Sequence, residues 1–284
     1  MLVTPDGAVA GALAPIPLAT PWWQDIGPLV AAVRARHGLN ITVLRLLEAS
    51  LPKPPGGEVT YLAEVDRAPN DIAPWAGRLP EDPLRLPYAR PGGPAADIAW
   101  ARARLAERGV TLADRPEQIR TWNLSSLWRI PYEGGAAWLK VVPAFFAHEG
   151  ALLAHLADSQ RVPRLMARDG ARCLLAELQG DDLYEATLAQ RIAMVDLLVA
   201  LQAEQAARVD DLRVLGLPDW RADRLIEAIR SVSDRTTPDL SAADRATVAP
   251  FLGGLPDRLA RIADCGLPDT LVHGDFHSGN FRGE

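Results

Sequence analysis

Short apolar runs with alternating or β-branched character fill most of the chain up to residue 178, and a 3.6-residue apolar period takes over after it. Gly7 to Ile16 predicts a first strand, and Trp23 to His37 a helix with Ile26, Leu29, Val30 and Val33 on one face, closed by Gly38. Ile41 to Leu47 and Val59 to Val65 predict two strands split by the turn cluster Pro54-Pro-Gly-Gly57. Residues 74–94, crowded with Pro and Gly, predict a surface linker, and Ala95 to Arg108 a helix ended by Gly109. Ile119–Trp122, Leu127–Tyr132 and Ala137–Val142 read as three strands, joined by Asn123-Leu-Ser-Ser126 and by the turn Glu133-Gly-Gly135. A helix over Phe145 to Leu156 comes next, then strands at Arg164–Ala167 and Cys173–Leu178 around the Asp169-Gly170 turn. Helices are predicted over 182–207, over 219–232 behind Asp219 as N-cap, and over 241–264 behind Ser241-Ala-Ala-Asp244, close to a capping box. Strands first and helices second imply an α+β, two-lobed body. Four stretches result: a small α+β domain over 1–93, a connecting helix over 94–114, a strand-rich lobe over 115–178 and a helical lobe over 179–284.

Composition narrows the class of function. The 284 residues suffice for one large or two smaller domains, and 48% apolar with 23% charged residues is ordinary for a soluble protein. A net charge of −6 argues against a broad nucleic-acid surface. No apolar run approaches the roughly 18 residues of a membrane span. Met1 to Ala14 lacks the basic start of a signal peptide and is broken by Pro5, Asp6 and Gly7. Cys173 and Cys265 make no disulfide framework, so a cytoplasmic protein without nucleic-acid or membrane partners is expected. Of 30 basic residues only Lys53 and Lys140 are lysine. In so arginine-biased a chain, a retained lysine marks a place for a compact ammonium or a chance survivor on the surface. Lys53 lies in a Pro/Gly loop, where the second reading suffices; Lys140 lies mid-strand in Ala-Trp-Leu-Lys-Val-Val, with Leu139 and Val141 facing the other side.

The richest chemistry lies in Thr270-Leu-Val-His-Gly-Asp-Phe-His-Ser-Gly-Asn-Phe281. An Asp followed five residues later by an Asn, on a Gly-bearing loop after an apolar run, suits phosphoryl transfer. Asp275 would accept a proton from an attacking hydroxyl, and the Asn280 oxygen would ligate magnesium on the nucleotide. His273 reads as an architectural residue that hydrogen-bonds the loop. The rival is a zinc site on His273 and His277, but that spacing needs a helix, which Gly-Asp and Ser-Gly oppose.

With this loop, Lys140 and Glu149 stand in the order of a kinase N-lobe, nine residues apart on a strand and the first turn of the next helix. Taken alone, an exposed edge-strand lysine and a dipole-favoured helix acid explain them as well. His-Gly-Asp-x4-Asn with Lys140 and Glu149 resembles the aminoglycoside phosphotransferase family of small-molecule kinases over about residues 115–284. The resemblance implies a protein-kinase-like fold and transfer of phosphate from ATP (or GTP), with magnesium, to a hydroxyl of a small molecule such as an amino sugar or aminoglycoside. It implies that Lys140 positions the phosphates, Glu149 holds Lys140, Asp275 acts on the acceptor and Asn280 holds the metal. Ser125 and Ser126 fall where a phosphate cover would lie, although a polar hairpin turn reads the same. The backbone of Glu177 and Leu178 falls where the hinge meets adenine, as would any strand leaving a sheet. The family's second metal-binding Asp would follow residue 284. Residues 1–284 alone are therefore expected to form a truncated C-lobe with little turnover, part of a longer kinase; the alternative is a non-catalytic pseudoenzyme with a binding or regulatory role. The first 93 residues faintly resemble the Nudix hydrolase topology. With Gly38 as the final glycine of that motif, its Arg-Glu pair falls on Ala31 and Ala32 and its two adjacent glutamates on Ala35 and Arg36, so the resemblance implies a degenerate scaffold.

Overall fold

The computed structural model describes residues 1–69, 72–75, 77, 79 and 82–283. The chain forms two compact units, Met1–Leu178 and Gln179–Glu284.

The first unit opens with β1 (Leu2–Val3) and β2 (Val9–Gly11), then α1 (Gly27–His37), β3 (Ile41–Ala49) and β4 (Val59–Val65). These strands form a sheet in the order β2-β1-β4-β3, in which β1 runs parallel to β4 and the other pairs are antiparallel. Helix α1 starts at Gly27 and not at Trp23. Pro28 fits the first turn, where its missing N–H is no loss. The preceding residues are held outside the helix: the Trp23 indole donates to Gly56 O at 2.7 Å, and the Tyr61 hydroxyl to Trp23 O at 2.6 Å. The inner faces of α1 and the sheet close over Leu2, Ile26, Val33, Ile41 and Val43.

The linker read over 74–94 is in part a packed segment. Residues 76, 78, 80 and 81 lie outside the described residues, but Pro87–Ala89 forms a 3-10 turn that buries Tyr88 to 1% exposure. Pro and Gly restrict the backbone without saying which side chains go inside. Helix α2 (Gly93–Ala106) follows at once, burying Ala101 and Leu105 beside Tyr88.

A second, wholly antiparallel sheet has the order β5-β6-β7-β9-β8, built from β5 (Glu117–Thr121), β6 (Ser126–Tyr132), β7 (Gly135–Val141), β8 (Leu165–Asp169) and β9 (Arg172–Ala176). Between β7 and β8 a 3-10 turn, Ala144–Phe146, precedes α3 (His148–His155). Period-two alternation puts Leu139 and Leu174 on the face that joins Tyr88 and Leu105. Cys173 and Leu175 point to the other face and pack with Leu153 of α3. Side-chain hydrogen bonds help tie the first sheet and α2 to the second. Gln118 of β5, buried, donates to Val43 O at 2.7 Å and accepts from Val43 N–H at 2.8 Å. Asp97 of α2 accepts from Arg172 Nε at 2.7 Å; burial raises its pKa, and Arg172 opposes the rise. The stretches 1–93, 94–114 and 115–178 thus lie in a single compact unit.

The second unit begins with β10 (Asp181–Asp182) and α4 (Leu188–Ala206). Helix α4 begins six residues later than the pattern predicts because Thr187 caps it. Gln190 N–H donates to Thr187 Oγ1 at 3.3 Å while Gln190 Oε1 accepts from Thr187 N–H at 2.9 Å, a capping box. Next come α5 (Val209–Val214), which the pattern missed, and α6 (Ala222–Thr236). The N-cap of α6 is Arg221, not Asp219, whose carboxylate instead accepts from the Arg221 backbone and guanidinium. The helix expected over 241–264 is two, α7 (Ala242–Gly253) and α8 (Leu255–Ala263). Gly253-Gly254 weakens the helix and Pro256 cannot continue it, so the chain restarts there. Ser241 does cap α7, accepting from Asp244 N–H at 3.1 Å. A two-residue strand, β11 (Arg282–Gly283), pairs antiparallel with β10. Among the described residues no helix is long and apolar enough to cross a membrane.

Candidate active site

In the first unit the structure brings Lys140 and Glu149 together. Lys140 lies in β7, opposite Cys173 of β9 and on the same face, the side on which α3 packs. Glu149 occupies the first turn of α3, and Lys140 Nζ donates to Glu149 Oε1 at 2.7 Å. The two side chains keep 34% and 29% of their surface, so the ammonium is fixed by its partner yet open to a further anion. Burial, with Glu149 adding to it, pushes the Cys173 thiol up to about 11. At neutral pH it stays uncharged and does not compete with Glu149 for the ammonium.

Ser125 and Ser126 part company. Ser125 lies in the β5–β6 connection, half-buried, and its Oγ accepts from the Trp122 indole at 2.9 Å. Ser126 opens β6 with only 1% exposure, and its Oγ accepts from the Trp128 indole at 3.0 Å. Its hydroxyl is turned into the fold, because the parity of β6 points that residue inward. Glu177 and Leu178 follow the last residue of β9. The Glu177 carboxylate holds Arg129 of β6 at 2.9 Å, which leaves its main chain as the part available to a ligand; Leu178 is exposed.

In the second unit the structure brings Asp275 and Asn280 together. Asn280 Nδ2 donates to the Asp275 backbone O at 2.7 Å and to Asp275 Oδ2 at 3.1 Å. Both partners only accept, so the amide nitrogen must face them and Oδ1 is turned to the outside. Asp275 itself is 80% exposed, with His277 Nε2 at 3.6 Å from Oδ2. The two histidines serve the loop backbone. His273 Nδ1 accepts from Asp275 N–H at 3.4 Å and His277 Nδ1 from Gly279 N–H at 3.1 Å. Phe276 packs edge-on against both His273 and Phe281. Among the described residues, no group of three or more His, Cys, Asp and Glu is placed to hold a metal. A hard cation that keeps waters and takes most of its ligands from nucleotide phosphates needs fewer protein oxygens, and the Asn280 amide oxygen is a donor of that kind.

Sequence reasoning missed what holds this loop. Gln202 of α4 donates to Leu271 O at 3.1 Å, and Thr270 Oγ1 donates to Gln202 O. Residues 180–184 clamp the other end: Arg282 Nε donates to Gly180 O at 2.8 Å, Leu183 N–H to Phe281 O at 3.0 Å, and Ser278 Oγ to Tyr184 O at 3.2 Å. Gly180 has φ +88°, and a Cβ there would lie 2.3 Å from the Gly283 backbone. That position admits only glycine, and the two glycines about a hundred residues apart were the only signal of the contact.

Residues 128–282, more than half of the chain, match the sequence profile of the phosphotransferase enzyme family. The chain is also 27% identical over 218 residues to a phosphoenolpyruvate carboxylase of Pseudomonas aeruginosa, covering 74% of this chain and 22% of that protein. It thus spans about a fifth of the length of the curated relative it matches.

Proposed function

We propose, on the premise that the chain belongs to the phosphotransferase enzyme family, that it serves to move the γ-phosphoryl group of ATP (or GTP) onto a hydroxyl of a small molecule, an amino sugar, an aminoglycoside or a similar alcohol. One observation carries this reading: Lys140 on its strand and Glu149 on the following helix meet at 2.7 Å, an ion pair that holds an ammonium ready for nucleotide phosphates. Lys140 neutralises phosphate charge and Glu149 keeps it oriented. The main chain at Glu177 and Leu178 meets the base, and the backbone N–H groups around Ser125 meet the phosphates.

In the reaction, the acceptor hydroxyl oxygen forms a new bond to the γ-phosphorus, the bond to the β–γ bridging oxygen breaks, and ADP leaves. Asp275 takes the hydroxyl proton. Asn280 Oδ1 would hold magnesium, which when bound offsets the charge of the phosphates. Asn280 also fixes the Asp275 carboxylate through the 3.1 Å hydrogen bond. The supply of ATP in the cytoplasm and the two free cysteines agree with an intracellular role.

The test is ADP release by the complete gene product against a panel of aminoglycosides, amino sugars and other small alcohols. Asp275→Asn is expected to lower turnover by about 10²- to 10⁴-fold, the range for a lost general base, with ATP affinity kept. Turnover unchanged by that substitution would remove Asp275 from the mechanism, and no ADP release with any acceptor would count against the whole reading.

A further inference from the structure

The residue after Glu149 is a glycine inside α3, where glycine costs about 1 kcal/mol relative to alanine. Gly150 is buried, and a Cβ built on it would lie 3.0 Å from Cys173 Sγ, 3.3 Å from Arg168 Cβ and 3.4 Å from Arg168 Cδ. These neighbours differ in how far they can give. Arg168 Cδ can swing away, but Arg168 Cβ is tied to its own strand, and Cys173 is 2% exposed in a strand paired on both sides. Cys173 is also the residue directly across from Lys140. The contact between Gly150 and Cys173 therefore sits behind the ion pair, joining the neighbour of one partner to the register mate of the other. One turn further along the helix, Leu153 packs on Cys173 and Leu175, with Leu165 of β8 against the same cluster.

We propose that Gly150 is a positioning residue for Lys140: its missing side chain lets α3 settle on Cys173 closely enough for Glu149 to reach the ammonium. The proposal rests on the phosphotransferase reading of that pair. A methyl group at 150 displaces α3 by a few tenths of an ångström, since the buried thiol cannot retreat. The 2.7 Å charged hydrogen bond then lengthens and Lys140 is no longer held for the phosphates.

The test is ATP affinity with magnesium chloride, measured by calorimetry on the complete gene product, alongside the melting temperature of each variant without nucleotide. Gly150→Ala is expected to bind ATP about tenfold more weakly, the loss of part of one charged hydrogen bond. In a Glu149→Ala background the same change should add no further loss, because there is no longer a carboxylate to misplace. In a Cys173→Ala background the loss should shrink, because the crowding sulfur is gone. A helix merely destabilised by Gly150→Ala would lose affinity equally in all three backgrounds. Wild-type affinity in Gly150→Ala, or a full additional loss on top of Glu149→Ala, overturns the proposal. Lys140→Ala separates the premise from the inference: if it binds ATP as wild type does, the phosphate role of Lys140 fails, and if it binds weakly while Gly150→Ala binds normally, only the positioning role fails. Should Gly150→Ala not fold, Cys173→Met crowds the same seat from the strand side, with the same expected loss and the same dependence on Glu149.

Discussion

A side-chain amide can stand in for a strand. Gln118 meets both polar groups of the Val43 peptide unit in a place water does not reach, at 2.8 Å and 2.7 Å. The β3–β4 register shifts just beyond Val43, so the ladder alone does not serve that residue evenly. Truncation leaves a buried N–H and a buried C=O without partners, each costing about 1–3 kcal/mol. Gln118→Ala is therefore expected to lower stability by about 3 kcal/mol, and Gln118→Glu to lower it as well, since a carboxylate cannot donate to Val43 O. Tryptophan fluorescence in a urea titration reads this out, as seven of the eight tryptophans lie between residues 22 and 138. A change below about 0.5 kcal/mol would mean that the pairing is idle.

At the scale of elements, the helices of the second unit begin and end where a few side chains dictate. Thr187 and Gln190 satisfy each other's orphan N–H groups at the start of α4. Thr187→Ala should cost about 1 kcal/mol and Thr187→Ser much less, measured by the helical circular dichroism signal during denaturation. Equal losses in the two would assign the effect to the threonine methyl group. Such caps were partly legible in the sequence, as were the strands of the second sheet, where Leu139 and Val141 alternate with Lys140. The Lys140–Glu149 pair was legible too, because a strand and the first turn of the next helix leave little freedom in where nine residues can go. What stayed hidden depends on parity or distance. Ser125 and Ser126 are chemically equal in the sequence, and a single step of the pleat turns one of them inward. Gln118 lies just ahead of the strand predicted over Ile119–Trp122, and nothing marks it as buried until its partner, 75 residues away, is known. The two-residue ladder of β10 and β11 is too short to leave any period. Gly253-Gly254 and Pro256 were visible breakers, but the apolar period runs across them and concealed the break.

At the scale of the molecule, stability at alkaline pH is governed by groups that the first unit buries in their protonated form. The Cys173 thiol is pushed from 9.0 up to about 11 by burial, the Tyr61 hydroxyl from 10.0 up to about 12 by burial and the nearby Asp25, and burial raises Tyr88 as well. Each holds its proton more tightly in the folded chain, so above about pH 9 the native state binds more protons than the unfolded one, and stability falls as pH rises. The contribution is fully present below the unfolded values. For Cys173 it is lost between 9.0 and about 11, and for Tyr61 between 10.0 and about 12. Within its window each group takes away up to about 1.4 kcal/mol per pH unit. Urea midpoints at a series of pH values should decline from about pH 9 onward, and Cys173→Ala should delay the onset until the tyrosines begin to titrate. The same burial makes Cys173 slow to alkylate in the folded protein while exposed Cys265 reacts freely. Midpoints that stay level to pH 11, or a decline that Cys173→Ala leaves where it was, would show that the thiol beneath the Lys140–Glu149 pair is open to water.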